Sequence, residues 1–209
     1  MSYPVFLRLN GRRCVVVGGG AVATRKVGAL VRDGADVTVV APEIAPEIEA
    51  LAESGGLQIV RRPFEPDDLN GALLAFAATD SPSINRLVAQ QAGALGVLVN
   101  VADDPASSDF TNPGIVRRRD ITLAVSTGGR SPAFARFLRE QLQEWLTDAR
   151  CTLLELVTEV RRDLRSAGKS LDSARWRQAL QDGRVYTAVE AGDRESARRH
   201  ILKSLLPDE

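Results

Sequence analysis

The chain has 209 residues, 44% of them hydrophobic, which is enough apolar material for a real core and excludes an intrinsically disordered protein. Its 27 Lys and Arg are balanced by 27 Asp and Glu, so no net field draws it to nucleic acid or to an anionic membrane, and only a local basic patch stays open. Cys14 and Cys151 lie far apart in a chain that needs no disulfide staple, and with the single His200 they cannot furnish a four-ligand zinc site; both are expected as reduced thiols in a cytoplasmic protein.

In chain order, the opening Met1 to Arg8 has no signal-peptide pattern, and Arg13 to Val17 then forms an apolar run that stops at Gly18-Gly19-Gly20, as a buried parallel strand does at a turn. Val22, Val27, Leu30 and Val31 follow at helical spacing up to Gly34, expected as the helix C-cap. The alternation repeats: strand Val37–Val40, helix from about Ala45 to Ser54, strand Leu57–Val60, strand Leu73–Ala78, helix Ser83–Leu95 and strand Val97–Val101. Strands alternating with helices predict an α/β fold with a doubly wound parallel sheet and right-handed crossovers. The longest uncharged stretch, Leu87 to Ala102, is broken by two Gln, two Gly and an Asn, so no membrane span is expected.

After Asp103 the pattern changes. A polar segment, Ala106 to Pro113, precedes two short strands, Gly114–Val116 and Ile121–Val125, expected as a hairpin around Arg117-Arg118-Arg119-Asp120. From Ser131 to about Asp148, Phe134, Phe137, Leu138, Leu142, Trp145 and Leu146 mark an amphipathic helix with Pro132 in its first turn. Beyond Cys151 the chain reads as helical throughout, with Leu153, Leu154, Val157 and Val160 along one face and a last helix after Asp193. The expected division is residues 1–112, 113–149 and 150–209.

Gly18-Gly19-Gly20-Ala21-Val22-Ala23 fits the G-x-G-x-x-G/A pattern between a predicted strand and a predicted helix. Glycine there lets the backbone turn sharply and approach a pyrophosphate, free helix N–H groups face the anion, and Ala23 keeps the helix close to the sheet. The alternative is a tight turn that binds nothing. The second strand ends Val40-Ala41-Pro42-Glu43, without the usual ribose-binding acid at its tip; Glu43 is either a ribose contact or an acid in the first turn of the next helix. No Arg stands beside it to meet a 2′-phosphate, which favours NAD over NADP.

Asn100-Val101-Ala102-Asp103-Asp104-Pro105 closes the fifth strand, where ligands of open α/β sheets bind. Its carboxylates are placed for proton transfer or metal contact, or else begin a turn before Pro105. Ser126-Thr127-Gly128-Gly129-Arg130-Ser131-Pro132 is either an anion nest or ordinary helix capping by Ser131, and Arg117 to Arg119 read as a solvated hairpin tip. His200 reads as a surface residue of a helix.

Taken together in order, these motifs resemble the sirohaem-synthase dehydrogenase/chelatase family. The resemblance rests on Pro4-Val5-Phe6-Leu7, Gly18 to Lys26, Ala41-Pro42, Ala77-Ala78-Thr79-Asp80 with Asn85, Asn100 to Pro105, Phe110 with Pro113, and Ser126 to Pro132, and covers residues 1 to about 150. It implies a Rossmann domain, a dimerisation region built on the hairpin and long helix, and a helical end piece. It further implies NAD-dependent oxidation of precorrin-2 to sirohydrochlorin, in many members also ferrous iron insertion to give sirohaem, in a homodimer. On this resemblance Asp103 is the catalytic carboxylate, assisting proton loss from the macrocycle. Gly18, Gly20, Ala21, Val22, Ala23, Pro42, Glu43 and Thr79 contact the cofactor, and Asn100, Ser126, Thr127, Gly128, Arg130 and Arg136 contact the tetrapyrrole. Precorrin-2 carries many carboxylates, which suits Arg130, Arg136 and the Arg117 to Arg119 run. Iron is expected as a substrate, with no resident metal site, and the chain is too short for the methyltransferase domain fused on in some relatives. The rival readings are a non-catalytic NAD-sensing module with a partner-binding helical tail, and a dehydrogenase of a small substrate, which would ordinarily show a larger substrate domain.

Overall fold

The computed structural model describes residues 3–169 and 171–206, in two compact units that meet in sequence between Asn112 and Pro113. The first unit is built on a parallel sheet of β1 (Arg13–Val17), β2 (Asp36–Val40), β3 (Gln58–Val60), β4 (Leu74–Ala77) and β5 (Leu98–Val101), in the order β3-β2-β1-β4-β5. The helices α1 (Ala21–Arg32), α2 (Pro46–Glu53) and α3 (Pro82–Leu95) alternate with the strands. The central strands are apolar on both faces because both are covered. Cys14, Val16 and Val37 pack with Ala23, Val27 and Leu30 of α1 and Ile48 of α2, whereas Val15, Val17 and Val99 pack with Val88 and Ala92 of α3. This is the doubly wound architecture expected from the alternation. At the end of α1 the cap is Asp33, one position earlier than expected, and Gly34 follows it with φ +74°, giving its N–H to Val31 O.

β5 is an edge strand, and the polar segment after it closes that edge with side chains. Val99 N–H donates to Asp109 Oδ2 at 2.9 Å, and Val101 N–H to Ser108 Oγ at 2.9 Å, so strand donors are satisfied without another strand. A short 3-10 turn, Pro105–Ser107, lies within this segment.

The second unit opens with the antiparallel hairpin of β6 (Gly114–Arg118) and β7 (Ile121–Val125), turning at Arg119-Asp120 with Arg119 at φ +46°. Strand β6 runs two residues further than expected, β7 has the expected bounds, and the arginine run is not a free tip. Arg118 pairs with Asp148 at 3.1 Å and Arg119 with Glu155 at 3.0 Å.

The helix expected from Ser131 to about Asp148 is α4 (Pro132–Trp145), which ends earlier, and the helical chain expected beyond Cys151 already begins at Asp148 as α5 (Asp148–Ser166). Thr147 caps α5 by accepting from Arg150 N–H, and Leu146 between them is fully buried against Val116 and Cys151, so the chain gives up one turn to insert an apolar anchor. Helix α5 runs through position 150, packing on the hairpin by Cys151 and on the last helices by Leu153, Leu156, Val160 and Leu164. Leu154, expected on the buried face, is exposed, and Leu156 takes its place. Helices α6 (Ser173–Gln181), α7 (Gly183–Glu190) and α8 (Arg194–Leu205) complete the unit, each started by an aspartate, Asp172, Asp182 and Asp193 respectively. His200 is half-buried on α8, and both cysteines are buried free thiols. No helix among the described residues is long and apolar enough to cross a membrane.

Candidate functional site

The turn from β1 into α1 lies at the carboxyl ends of the sheet, between β2 and β4, where the strand order reverses and crevices form in open α/β sheets. Its three glycines do three different things. Gly18 has φ +122°, and a Cβ on it would stand 2.3 Å from Ala78 O. Gly19 sits against the β2–α2 loop, where a Cβ would stand 2.0 Å from Glu43 O. Gly20, at φ −90°, is different: a Cβ there would meet nothing within 4 Å, so nothing in the chain requires glycine at this position. Gly18 and Gly19 let the backbones of β1, β2 and β4 converge, and Gly20 leaves open space in front of α1. Gly19, unmarked by the sequence pattern, is thus fixed by packing alone.

Gly20 is the N-cap of α1, no side chain caps the helix, and its first turn has no acid. The amide hydrogens at Ala21 and Val22 therefore end the helix dipole without a neutralising partner, which suits an anion such as a pyrophosphate. Ala23 is fully buried against the sheet. Pro42 and Glu43 are exposed in the loop after β2, and Glu43 precedes α2 by three residues, so it is not a first-turn acid; Glu47 and Glu49 hold that position. Thr79, after β4, is held by Asn85, a buried residue of α3: Thr79 Oγ1 donates to Asn85 Oδ1 at 2.8 Å, and Asn85 Nδ2 donates to Thr79 O at 3.0 Å.

At the end of β5 the two adjacent aspartates separate. Asp104 caps the 3-10 turn, accepting from Ala106 N–H at 3.1 Å and Ser107 N–H at 3.2 Å, and the bonds from Ser107 hold its carboxyl below the usual aspartate range. Asp103 is exposed, adopts a left-handed backbone at φ +58° that Asp and Asn tolerate better than most residues, and makes no hydrogen bond through its carboxylate among the described residues. The turn-making and the free carboxylate belong to different residues.

Asn100, expected at the substrate, is buried with both ends of its carboxamide engaged. Nδ2 donates to Phe110 O at 2.9 Å, and Oδ1 accepts from Lys26 Nζ at 3.1 Å. Nothing in the sequence marks Lys26 beyond its place in the Thr24-Arg25-Lys26 motif, because a charged pair on a helix ordinarily reads as solvated surface. Here its ammonium lies 5.6 Å from the centre of the Phe76 ring. Burial first, then repulsion from Arg25, pushes it below the ordinary lysine value, and Asp103 pulls it back.

In the second unit, the loop before α4 is capped as its sequence predicts: Ser131 Oγ accepts from Phe134 N–H at 3.2 Å, with Pro132 in the first turn. Ser126 Oγ accepts from Gly128 N–H, and Thr127 Oγ1 donates to Ser131 O. Arg130 on this loop and Arg136 on α4 are exposed and carry no ion pair among the described residues. Helix α4 buries none of its residues, and Phe134, Phe137 and Trp145 are each about half exposed, at 53%, 51% and 52%.

Sheet order, glycine turn and uncapped helix define an α/β protein of the dinucleotide-binding class. The chain belongs to the NAD(P)-binding family, whose model matches residues 5–114, and residues 118–144 match the central region of sirohaem biosynthesis proteins. It is 38% identical over 205 residues to a siroheme synthase of Chromobacterium violaceum, covering 97% of this chain and 43% of that protein. It is 40% identical over 208 residues to siroheme synthase 2 of Aeromonas salmonicida, covering 98% of this chain and 43% of that protein. The chain thus spans less than half the length of these curated relatives. A solved structure of SirC, precorrin-2 dehydrogenase, superposes with a TM-score of 0.72 at 25% identity, covering 99% of this chain and all of the other.

Proposed function

We propose that the chain oxidises precorrin-2 to sirohydrochlorin with NAD as the hydride acceptor. The observation that carries the reading is the pairing, within one unit, of an open, uncapped helix start at Gly20 with an unengaged carboxylate at Asp103. The likeness to a precorrin-2 dehydrogenase over the whole chain supports it. The turn fits the cofactor because the space before Gly20 is the space a backbone-bound pyrophosphate needs. Ala21, Val22 and Ala23 hold the phosphates from the helix start, while Pro42, Glu43 and Thr79 border the adenosine and nicotinamide ends. NAD bound there supplies the hydride acceptor. Asp103 takes the proton that the macrocycle loses as the hydride leaves, since it has no internal donor to satisfy. Arg130 and Arg136, without acidic partners among the described residues, receive substrate carboxylates, with Ser126, Thr127 and Gly128 supplying further donors.

The hairpin and α4 serve as the dimerisation region and α5 to α8 as the helical end piece, so the division expected at position 150 falls instead between α4 and α5. The half-exposed aromatic face of α4 is covered by a second copy, because two Phe and a Trp on one helix form a patch that water leaves unsatisfied. Ferrous iron insertion is a second activity supported by the siroheme synthase relatives, with iron as substrate and Asp103 drawing off pyrrole protons. The reaction belongs in the cytosol, where the two buried thiols stay reduced.

The test is an anaerobic assay of precorrin-2 oxidation with NAD, in the wild type and in Asp103→Asn and Asp104→Asn. Asn keeps the left-handed backbone at 103 and the cap at 104, so both variants fold. Asp103→Asn should lose roughly 10²–10⁴ in rate with NAD binding intact, and Asp104→Asn should stay within a few-fold of wild type. Normal turnover in Asp103→Asn would remove Asp103 from the chemistry, and a wild type that never oxidises precorrin-2 would end the reading.

A further inference from the structure

The ammonium of Lys26 makes the one side-chain hydrogen bond, among the described residues, between the helix that begins at the glycine turn and the strand that leads to Asp103. Lys26 lies on α1, two turns in from Gly20, and its partner Asn100 lies 74 positions away in sequence on β5, three residues before Asp103. Three features make this more than a surface contact. The accepting carboxamide is buried and already anchored to the loop beyond Asp103 through Phe110 O. The ammonium also sits over Phe76, whose ring meets Phe110 edge-on at 5.5 Å between centres, so the lysine closes a cluster made of α1, β4, β5 and the segment after β5. And a half-buried lysine gives up hydration and is brought below its ordinary value by doing so, with Asp103 the one carboxylate whose charge offsets that loss. A residue that needed only to pack would be more stable here as Met or Leu.

Resting on the proposed oxidation of precorrin-2, we propose that Lys26 is a positioning residue: through Asn100 and the charge of Asp103 it fixes the Asp103 loop against the helix whose first turn holds the dinucleotide. Hydride transfer needs acceptor and base held to a fraction of an ångström, and among the described residues the two lie on elements with no other polar tie at this point. Lys26 does not itself touch the reacting atoms.

Three variants test this. Lys26→Met keeps the aliphatic stem over Phe76 and removes the ammonium. Its kcat for precorrin-2 oxidation should fall about 10- to 100-fold, with KM for NAD within about threefold of wild type, because the phosphate-binding turn is untouched. Lys26→Arg, which restores a cation, should recover at least part of the loss. In the double variant with Asp103→Asn, Lys26→Met should add little to the effect of Asp103→Asn alone, since a residue acting through Asp103 has nothing left to act on. A readout free of turnover uses protein that retains the lysine: the Lys26 Nζ signal, followed by NMR across pH, should titrate lower in Asp103→Asn than in wild type, because Asp103 and Arg25 are the charged groups that face it and only the attractive one has been removed.

A folded Lys26→Met with wild-type kcat, strictly additive effects in the double variant, or an Nζ midpoint unmoved by Asp103→Asn would each overturn the proposal. If the wild type itself lacks the activity, the functional reading has failed and the Nζ titration still decides whether Lys26 and Asp103 are coupled.

Discussion

Gly20 gives the sharpest separation of binding from folding. In the structure a side chain at 20 meets no protein atom and the backbone is extended at φ −90°, ψ −168°, a conformation valine adopts readily. Gly20→Val should therefore lose only the modest difference between Gly and a β-branched residue at an N-cap, about 1 kcal/mol, or under about 8 °C in melting temperature. The same side chain fills the space before the first amide hydrogens of α1. Losing two phosphate contacts at about 1.5 kcal/mol or more each removes about 3 kcal/mol, roughly a hundredfold in NAD affinity. Gly18→Ala is the mirror case. At φ +122° and with its methyl 2.3 Å from Ala78 O, it should destabilise the fold by roughly 1–3 kcal/mol or more, with a correspondingly larger drop in melting temperature. Thermal melting and calorimetric titration with NAD read the two effects separately. A folded Gly20→Val that binds NAD within about threefold of wild type would refute the assignment of the pyrophosphate to this turn, and a Gly18→Ala that melts normally would refute the packing argument.

Light scattering at micromolar concentration should give about twice the 22.5 kDa chain mass, and a Phe134→Lys, Phe137→Lys double variant should give the monomer, as expected if α4 meets its copy; a wild-type monomer would end the shared-interface reading. Asp182 caps α7, is bound by Arg184 Nη2 at 2.7 Å and accepts from Ser204 Oγ at 3.1 Å, which together hold its carboxyl well below the usual aspartate range. Because the folded state binds that proton less readily than the unfolded chain, the stability Asp182 contributes is complete above about pH 4 and is lost as pH falls further. Asp182→Ala should thus be less stable than wild type by roughly 1 kcal/mol at pH 7 in urea melts, and that gap should narrow by pH 3; a gap independent of pH would show that the carboxylate charge plays no part.

The sequence alone determined the sheet. Apolar runs of four or five residues alternating with helical periods leave a doubly wound parallel sheet as the economical solution, because each period names its own burial pattern, and the glycine turn falls at the end of the first strand where the chain must reverse. Helix starts at Ser131 and Asp193 were legible for the same reason: a cap is satisfied within three residues. What lay between distant segments was not legible. The pattern G-x-G treats Gly19 as free, and only the approach of the Glu43 carbonyl shows that it is not. Asp103 and Asp104 are equivalent in a string of letters, and the fold divides them by turning the first into a left-handed conformation and giving the second two amide donors. The arginine run reads as a solvated tip until α5 brings Asp148 and Glu155 to it. Lys26 meets Asn100 across 74 residues of chain. Local periodicity encodes which face of an element is apolar. Which polar group meets which is decided by how the elements dock, and that is information the tertiary structure alone carries.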